Sequence, residues 1–551
     1  MGGNIIVFVL GNLDLENTEE GKALPAEQAC RHYKNGGRYP AIQVNEAPIK
    51  YLIQTAMSVG NPVTGLVYLC ANSCLSPDIP AAQAMAAIPG YVTSEDAIST
   101  EEFFLARIRS YCEDNDYPVP TSHSIPFNPL RPADSLSGLM DALGADTRIS
   151  IDITGGPRDA AILLTLAAQI IKMAATGTSI GEILYTHYSV KTIYRQNNTF
   201  DLIDLVNAID AFTEYGRADQ LKEFFGRSPY IWESTRRLCD AMEAFSNALT
   251  LCQPKGIERK VIEVQRCLDE AAEELGRLKR VYMLCTEALE DIESGSLDQT
   301  LSDTLKEIEA LSPTAQLTGI KPQRLGEKLE QVRKASMMNR SELLFLSLFP
   351  AIREKFVPAT DDQTSLTLEL IKWCASHQMV VQALCIYREC IGQCLLDKGY
   401  FIELEEASEL SERQRSQEIA DLPKNCAFKS GGLYLSKFTS DERRPHPYYA
   451  IDLTTEPKLR SSIIWFSYLH ATRNTIVHVD GNRGSFSYFF ALEFLGKRRD
   501  EALDVPTLSQ DILKAIDAIE HPNAASDSQW RRARSAAYDD MERYKQQNAT
   551  S

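Results

Sequence analysis

Two short stretches of this chain carry residues whose types and spacing suit phosphate chemistry. The first is HATRNTIVHV, residues 470–479, which sets Arg473, Asn474 and His478 in an otherwise apolar, β-branched run. Histidine exchanges a proton near neutral pH, and arginine stabilises charge that builds on phosphorus. Asparagine can orient either a substrate or the imidazole. One chain brings one such set, whereas attack by a ribose 2′-hydroxyl on phosphorus needs both a general base and a general acid. A symmetric dimer supplies the pair by facing two Arg–Asn–His sets across a cleft. On an ideal helix, residues five apart are separated by about 140°, so Arg473 and His478 do not share a face. A solvated arginine followed by a core histidine gives the same spacing, so the motif is unspecific when taken alone.

The second stretch is DITGGPRDAA, residues 152–161, where a β-branched run passes directly into an apolar helical pattern. Gly155 and Gly156 let the backbone turn tightly and approach a ligand without a Cβ in the way. Thr154 offers a hydroxyl. The free N–H groups of the new helix and Arg158 in its first turn make an anion site. Neither the Walker loop nor the G-x-G-x-x-G dinucleotide pattern is present. A purely structural turn capped by Asp152 or Thr154 is the competing reading. Ligands of open parallel sheets bind beyond the carboxyl ends of strands. A second loop should therefore complete the site, and LGNLD (10–14) is the candidate: Gly11 for close approach, Asn12 for a hydrogen bond to a base or ribose.

Periodicity indicates the elements that must hold these residues. Residues 1–200 alternate strand-like runs with helical patterns. The strand-like runs are 4–10, 39–44, 65–69, 148–153 and 182–188, and the pattern predicts a Rossmann-like, mainly parallel sheet with helices on both faces. From DLIDLVNAIDAFTEYG onward, apolar residues recur at helical spacing. Residues 201–340 read as a helical connector and 341–525 as a second helical domain. The fold class expected is thus α/β plus all-α. Residues 405–432 read as a polar insertion or surface loop, and 526–551 as a polar tail.

Composition narrows the function. A chain of 551 residues with formal net charge −18 is not one that coats nucleic acid, so stable DNA binding is not expected, though a local basic site for RNA remains open. The 13 cysteines lack C-x-x-C pairs. Cys385, Cys390 and Cys394 share a helical segment without a matching histidine, so buried free thiols in a reducing compartment are expected rather than zinc. The start, MGGNIIVFVLGN, lacks a basic n-region, and AAILLTLAAQIIKMAA is interrupted by Gln169 and Lys172. A cytoplasmic protein without a membrane span is the expectation. No metal or other cofactor is called for by a carboxylate–histidine cluster.

Taken together and in this order, the two sites resemble a known arrangement. The strand–LGN start, the DITGGPR turn and the later strand EILYTHY (182–188) resemble the CRISPR-associated Rossmann fold (CARF) domain. RNTIVH (473–478) is similar to the R-[polar]-x-x-x-H signature of HEPN ribonucleases, and MVVQALCIYRECIGQCLL (379–396) to the Gln-Ala-Leu helix that precedes it in that domain. The helical stretch from 201 to 221 is similar to the connector of such proteins. The implied family is the CARF–HEPN accessory ribonucleases of type III CRISPR antiviral systems. The resemblance implies a homodimer that binds a cyclic oligoadenylate at Gly11, Asn12, Thr154, Gly155, Gly156, Pro157 and Arg158, cyclic tetra-adenylate favoured over cyclic hexa-adenylate. It implies metal-independent cleavage of single-stranded RNA by Arg473, Asn474 and His478, leaving 2′,3′-cyclic phosphate ends. The turn departs from the family's usual T-G-G-T-K or T-H-G, with Arg158 in place of a lysine. Two other readings stand beside this one. The first is a non-catalytic nucleotide sensor that uses its helical half for dimerisation or partner docking. The second is an α/β enzyme with its chemistry at TGGPR and Asp159 as acid or base.

Overall fold

A computed structural model describes all residues outside 1–2, 19–20, 34–35, 144–146, 175–176, 229, 255, 295–298, 321, 359, 361, 430–431, 440–441, 479–484, 499–503, 523–525 and 550–551. The chain divides into two compact units, Met1–Ile203 and Asp204–Ser551.

The first unit is built on an eight-stranded sheet. Its strands are β1 (Gly3–Val9), β2 (Gln28–His32), β3 (Arg38–Ala41), β4 (Val63–Cys70), β5 (Thr121–Pro126), β6 (Thr147–Asp152), β7 (Ser179–His187) and β8 (Thr192–Arg195). They lie in the order β3-β2-β8-β7-β6-β1-β4-β5. The five strands from β7 to β5 are parallel, with Phe8 beside Asp152 on one side and Tyr68 on the other. Strand β8 runs antiparallel to β7, and β3 antiparallel to β2.

Side-chain alternation along β1 explains its unbroken apolar run. Ile6, Phe8 and Leu10 enter a core with helices α1 (Glu46–Ser58) and α2 (Thr100–Asp114). Ile5, Val7 and Val9 enter a second core, on the other face, with α3 (Arg158–Ala174) and Leu139. A strand covered on both faces needs apolar residues at every position. All five expected strands are present. Three others, β2, β5 and β8, escaped the sequence reading because they are polar; in β5 only Ile125 is buried.

The second unit is mainly helical. Its elements include α4 (Ile257–Ser294), α5 (Gln363–Ser376), α6 (Val380–Asp397), α7 (Glu412–Asn425), α8 (Glu456–His478), α9 (Phe486–Leu495), α10 (Val505–Glu520) and α11 (Asp527–Ala549). One continuous core runs from Leu205 to Ala537, and the far half of α4 joins a smaller one with Leu301, Ile308 and Leu329.

Three expectations need correction. Residues 405–432 are not a surface loop: α7 buries Ile419, Ala420 and Leu422, and its backbone at Ile419 lies where a side chain on Gly392 of α6 would go. Nor is the all-α description complete. Cys426–Lys429, Gly432–Thr439 and Glu442–Pro445 form a three-stranded sheet, and Phe401–Glu403 pairs with Tyr449–Ile451. Finally, residues 527–549 are helix, not a polar tail. Trp530, Ala533 and Ala537 are buried at helical spacing on α11 and form a narrow apolar stripe among many charges.

Trp530 anchors that helix. It is 1% exposed, its indole N–H donates to the Lys429 carbonyl at 3.1 Å, and the Arg460 guanidinium stands 4.9 Å from its ring centre. Replacing Trp530 by Ala should destabilise the chain by about 3–5 kcal/mol in urea denaturation. Truncating an unanchored tail would leave stability unchanged.

Candidate functional site

The sheet order places the first site. Along β5-β4-β1-β6-β7 the parallel strands run 3-2-1-4-5 in chain order, so the strand order reverses between β1 and β6. That is the switch point where open α/β sheets leave a crevice beyond their carboxyl ends. The loops after β1 and β6 are those carrying Gly11–Asn12 and Thr154–Arg158.

A buried polar relay fastens the two loops together. The Asp152 side chain is fully buried and accepts from the Asn45 side-chain amide at 2.7 Å, from the Thr154 N–H at 3.0 Å and from the Thr154 hydroxyl. Asn45 Oδ1 accepts from Gly11 N–H at 2.9 Å and from Gln43 Nε2 at 2.9 Å, and Gln43 Nε2 also donates to the Gly11 carbonyl at 2.7 Å. Thr154 Oγ1 in turn accepts from Thr186 N–H at 2.9 Å. The relay continues into Glu46, whose carboxylate accepts from Gln43 N–H and is paired with Lys50 at 2.8 Å and Arg107 at 2.8 Å.

This geometry changes the role read for the glycines. A side chain on Gly11 would meet Val44 at 2.9 Å, one on Gly155 would meet the Val9 carbonyl at 2.8 Å and the Asn45 amide at 2.7 Å, and one on Gly156 would strike Val9. Gly156 is also left-handed, at φ +76°. The glycines thus let the two loops pack closely against each other and against Val9, Val44 and Asn45. The Thr154 hydroxyl is likewise committed inside the protein. On the surface stand Asn12, Gly156, Pro157 and Arg158. Asn12 accepts from the Cys74 thiol at 2.9 Å. Arg158, in the first turn of α3, makes no hydrogen bond or ion pair with described residues, so its guanidinium is open to an anion.

The second site lies on the last two turns of α8. Arg473 Nη1 donates to Asn474 Oδ1 at 3.2 Å, and Asn474 Nδ2 meets His470 Nε2 at 3.3 Å. Because an amide nitrogen only donates, this contact assigns Nε2 as acceptor and the proton to Nδ1. His470 stacks on Phe466 with ring centres 5.4 Å apart. His478 closes the helix, and its side chain falls outside the described residues. The sequence reading missed His470. Its signal was the i, i+4 spacing to Asn474, which shares a helix face as the five-residue spacing to His478 does not.

Buried charge behaves oppositely at the two places. Burial lifts Asp152 from its ordinary 3.8 to about 6, against the hydrogen bonds from Thr154 and Asn45. His470 is pushed from 6.5 down to about 4, first by burial and then by the positive charges of Arg388, Lys424 and Arg473, with Asp421 opposing. His470 is therefore neutral at pH 7 and suited to holding Asn474 rather than to moving protons. Arg388 is itself held by Asp421 at 2.6 Å and by the Ala420 carbonyl at 3.1 Å.

All thirteen cysteines are free, and all but Cys252 and Cys390 are buried. Among the described residues no group of three or more His, Cys, Asp or Glu could hold a metal ion, and no helix is long and apolar enough to cross a membrane. Neither a protein-family model nor a curated protein matches the chain.

The opposite shifts predict opposite pH slopes. A carboxylate raised in the folded chain contributes stability that is complete below 3.8 and lost as pH rises through about 6, about 3 kcal/mol in all. A depressed histidine contributes above 6.5 and loses that contribution as pH falls through about 4. In full-chain urea denaturation between pH 4 and 6.5, Asp152→Asn should therefore make the slope of stability with pH more positive, and His470→Gln less positive.

Proposed function

We propose that this chain is a ligand-gated endoribonuclease of the CARF–HEPN type, working as a homodimer. The sensing half would be residues 1–200 and the nuclease half 341–525, joined through the helices of 201–340. The observation that carries the reading is the switch-point position of both expected ligand loops, with Arg158 exposed in the first turn of α3. A cyclic oligoadenylate on the two-fold axis would meet Asn12, Pro157 and Arg158 of both chains and the first-turn N–H groups of α3. Gly11, Thr154, Gly155 and Gly156 would serve by holding those loops in place.

At the nuclease site, one His478 would take the proton from the RNA 2′-hydroxyl as its oxygen attacks phosphorus. The partner's His478 would give a proton to the departing 5′-oxygen, leaving a 2′,3′-cyclic phosphate. Arg473 would stabilise the charge on the phosphorane-like transition state. Asn474, braced by His470, would set the position of Arg473 through their side-chain hydrogen bond. No step calls on a metal.

Dimerisation has its own support. Ile162, Leu166 and Ile170 form a stripe along α3 and are 61%, 53% and 37% exposed. Four-residue spacing places them on one face, immediately beyond the ligand loop.

The decisive assay offers quenched fluorescent single-stranded RNA with cyclic tri-, tetra- and hexa-adenylate in turn, in EDTA. Cleavage should be switched on by the tetra-adenylate. His478→Ala should lower the rate at least about 100-fold while ligand binding persists. Arg158→Ala should raise the activator concentration needed by about tenfold or more. The double substitution Ile162→Glu, Leu166→Glu should give a monomer in light scattering, with cleavage lost.

A further inference from the structure

The helical unit contains a cavity of about 460 Å³ unrelated to either motif. It is enclosed by the start of α4 and by α5, α6 and α7. Four carboxylates line it, those of Glu258, Glu389, Asp397 and Glu412, against a single cation among the described lining residues, the exposed Arg259.

Glu258 is the informative member. It is 7% exposed, yet one of its oxygens faces only the Cys390 thiol at 3.6 Å and the Thr367 hydroxyl at 3.4 Å, whose one proton also goes to the Gln363 carbonyl at 3.0 Å. Its other oxygen takes no hydrogen bond among the described residues. Burial, with the Glu258 charge adding to it, holds the Cys390 thiol well above its ordinary range, so the thiol stays protonated and donating. The other buried glutamates are better met: Glu46 has Lys50 and Arg107, Glu456 has Arg460 and the Leu433 N–H, and Glu342 takes the Trp232 N–H at 2.7 Å, the Thr235 hydroxyl at 3.1 Å and the Asn339 N–H. A buried carboxylate with only two long, neutral donors is costly unless a cation meets it. Glu389, on the same wall, also makes no ion pair among the described residues.

We propose that this cavity binds a small aliphatic polyamine, with one ammonium group on Glu258 and a second on Glu389. Separated charges on a flexible stem suit carboxylates spread over several helices. A metal ion does not, because the carboxylates do not converge and both oxygens of Asp397 are already engaged by Thr364 and Gln393. The cavity volume is that of a small-molecule site rather than a protein-docking surface. Because no RNA or nucleotide enters this inference, it stands apart from the proposed nuclease activity.

Isothermal titration of the full chain with spermidine tests it. Wild type should bind one equivalent saturably. Glu258→Gln and Glu389→Gln should each weaken binding at least about tenfold, whereas Glu273→Gln on the exposed face of α4, which removes the same charge from the −18 total, should leave it unchanged. Circular dichroism shows whether each variant is folded, and Glu389→Gln, at a half-buried position, carries the test if Glu258→Gln is not. Equal weakening by all three variants would mean diffuse attraction to an acidic protein and would overturn the proposal, as would unaltered binding by the folded pocket variants or none by wild type.

Discussion

The first unit depends on a single buried carboxylate. Asp152 ends the strand beside β1 with no access to water, and three hydrogen bonds from Asn45 and Thr154 make that tolerable. Removing any one would leave a buried polar group unmet, which costs more than the bond itself contributes. That asymmetry fixes Asn45, and through Asn45 the backbone of Gly11. Two loops that are about 140 residues apart in sequence thus become one rigid rim at the switch point. The relay continues to Glu46, Lys50 and Arg107, so the rim is tied into helices α1 and α2 as well.

Rigidity of this kind separates holding from reading. Glycines and the threonine hydroxyl are consumed in joining the loops, while Asn12 and Arg158 stand exposed on the rim. Division of labour recurs on α8. His470 is kept neutral by burial and by neighbouring cations, and its lone pair faces Asn474. Asn474 turns its other end to Arg473. A histidine that stays neutral near pH 7 is a firm strut, because its hydrogen-bonding pattern does not change across the neutral pH range.

Much of the fold was legible in the sequence where patterning was strong. The run NIIVFVL required a strand covered on both faces, and helical spacing marked the second unit. Elements whose stability comes from partners were not legible. Strand β5 is held by its edge pairing with β4 and carries polar side chains. Helix α7 reads as a loop because only Ile419, Ala420, Leu422 and Pro423 of its fourteen residues are buried. Helix α11 reads as a tail because, among its described residues, one tryptophan and two alanines are the whole buried stripe outside a half-buried rim.

The sequence by itself determined which residues stand at the two motifs, the parallel character of the N-terminal sheet and the helical character of the second unit. These are local properties, set by side-chain type and by periods of two and 3.6 residues. Only the tertiary structure decided what each described motif residue touches. Whether a glycine faces a ligand or a neighbouring loop depends on what fills the space beside it, and at Gly155 that is Asn45, 110 positions earlier in the chain. Whether a histidine is acid, base or strut depends on burial and nearby charge, and for His470 the largest charge contributions come from Arg388 and Lys424, on two other helices. Both are sums over neighbours that folding brings together, so neither can be read from the residue and its spacing.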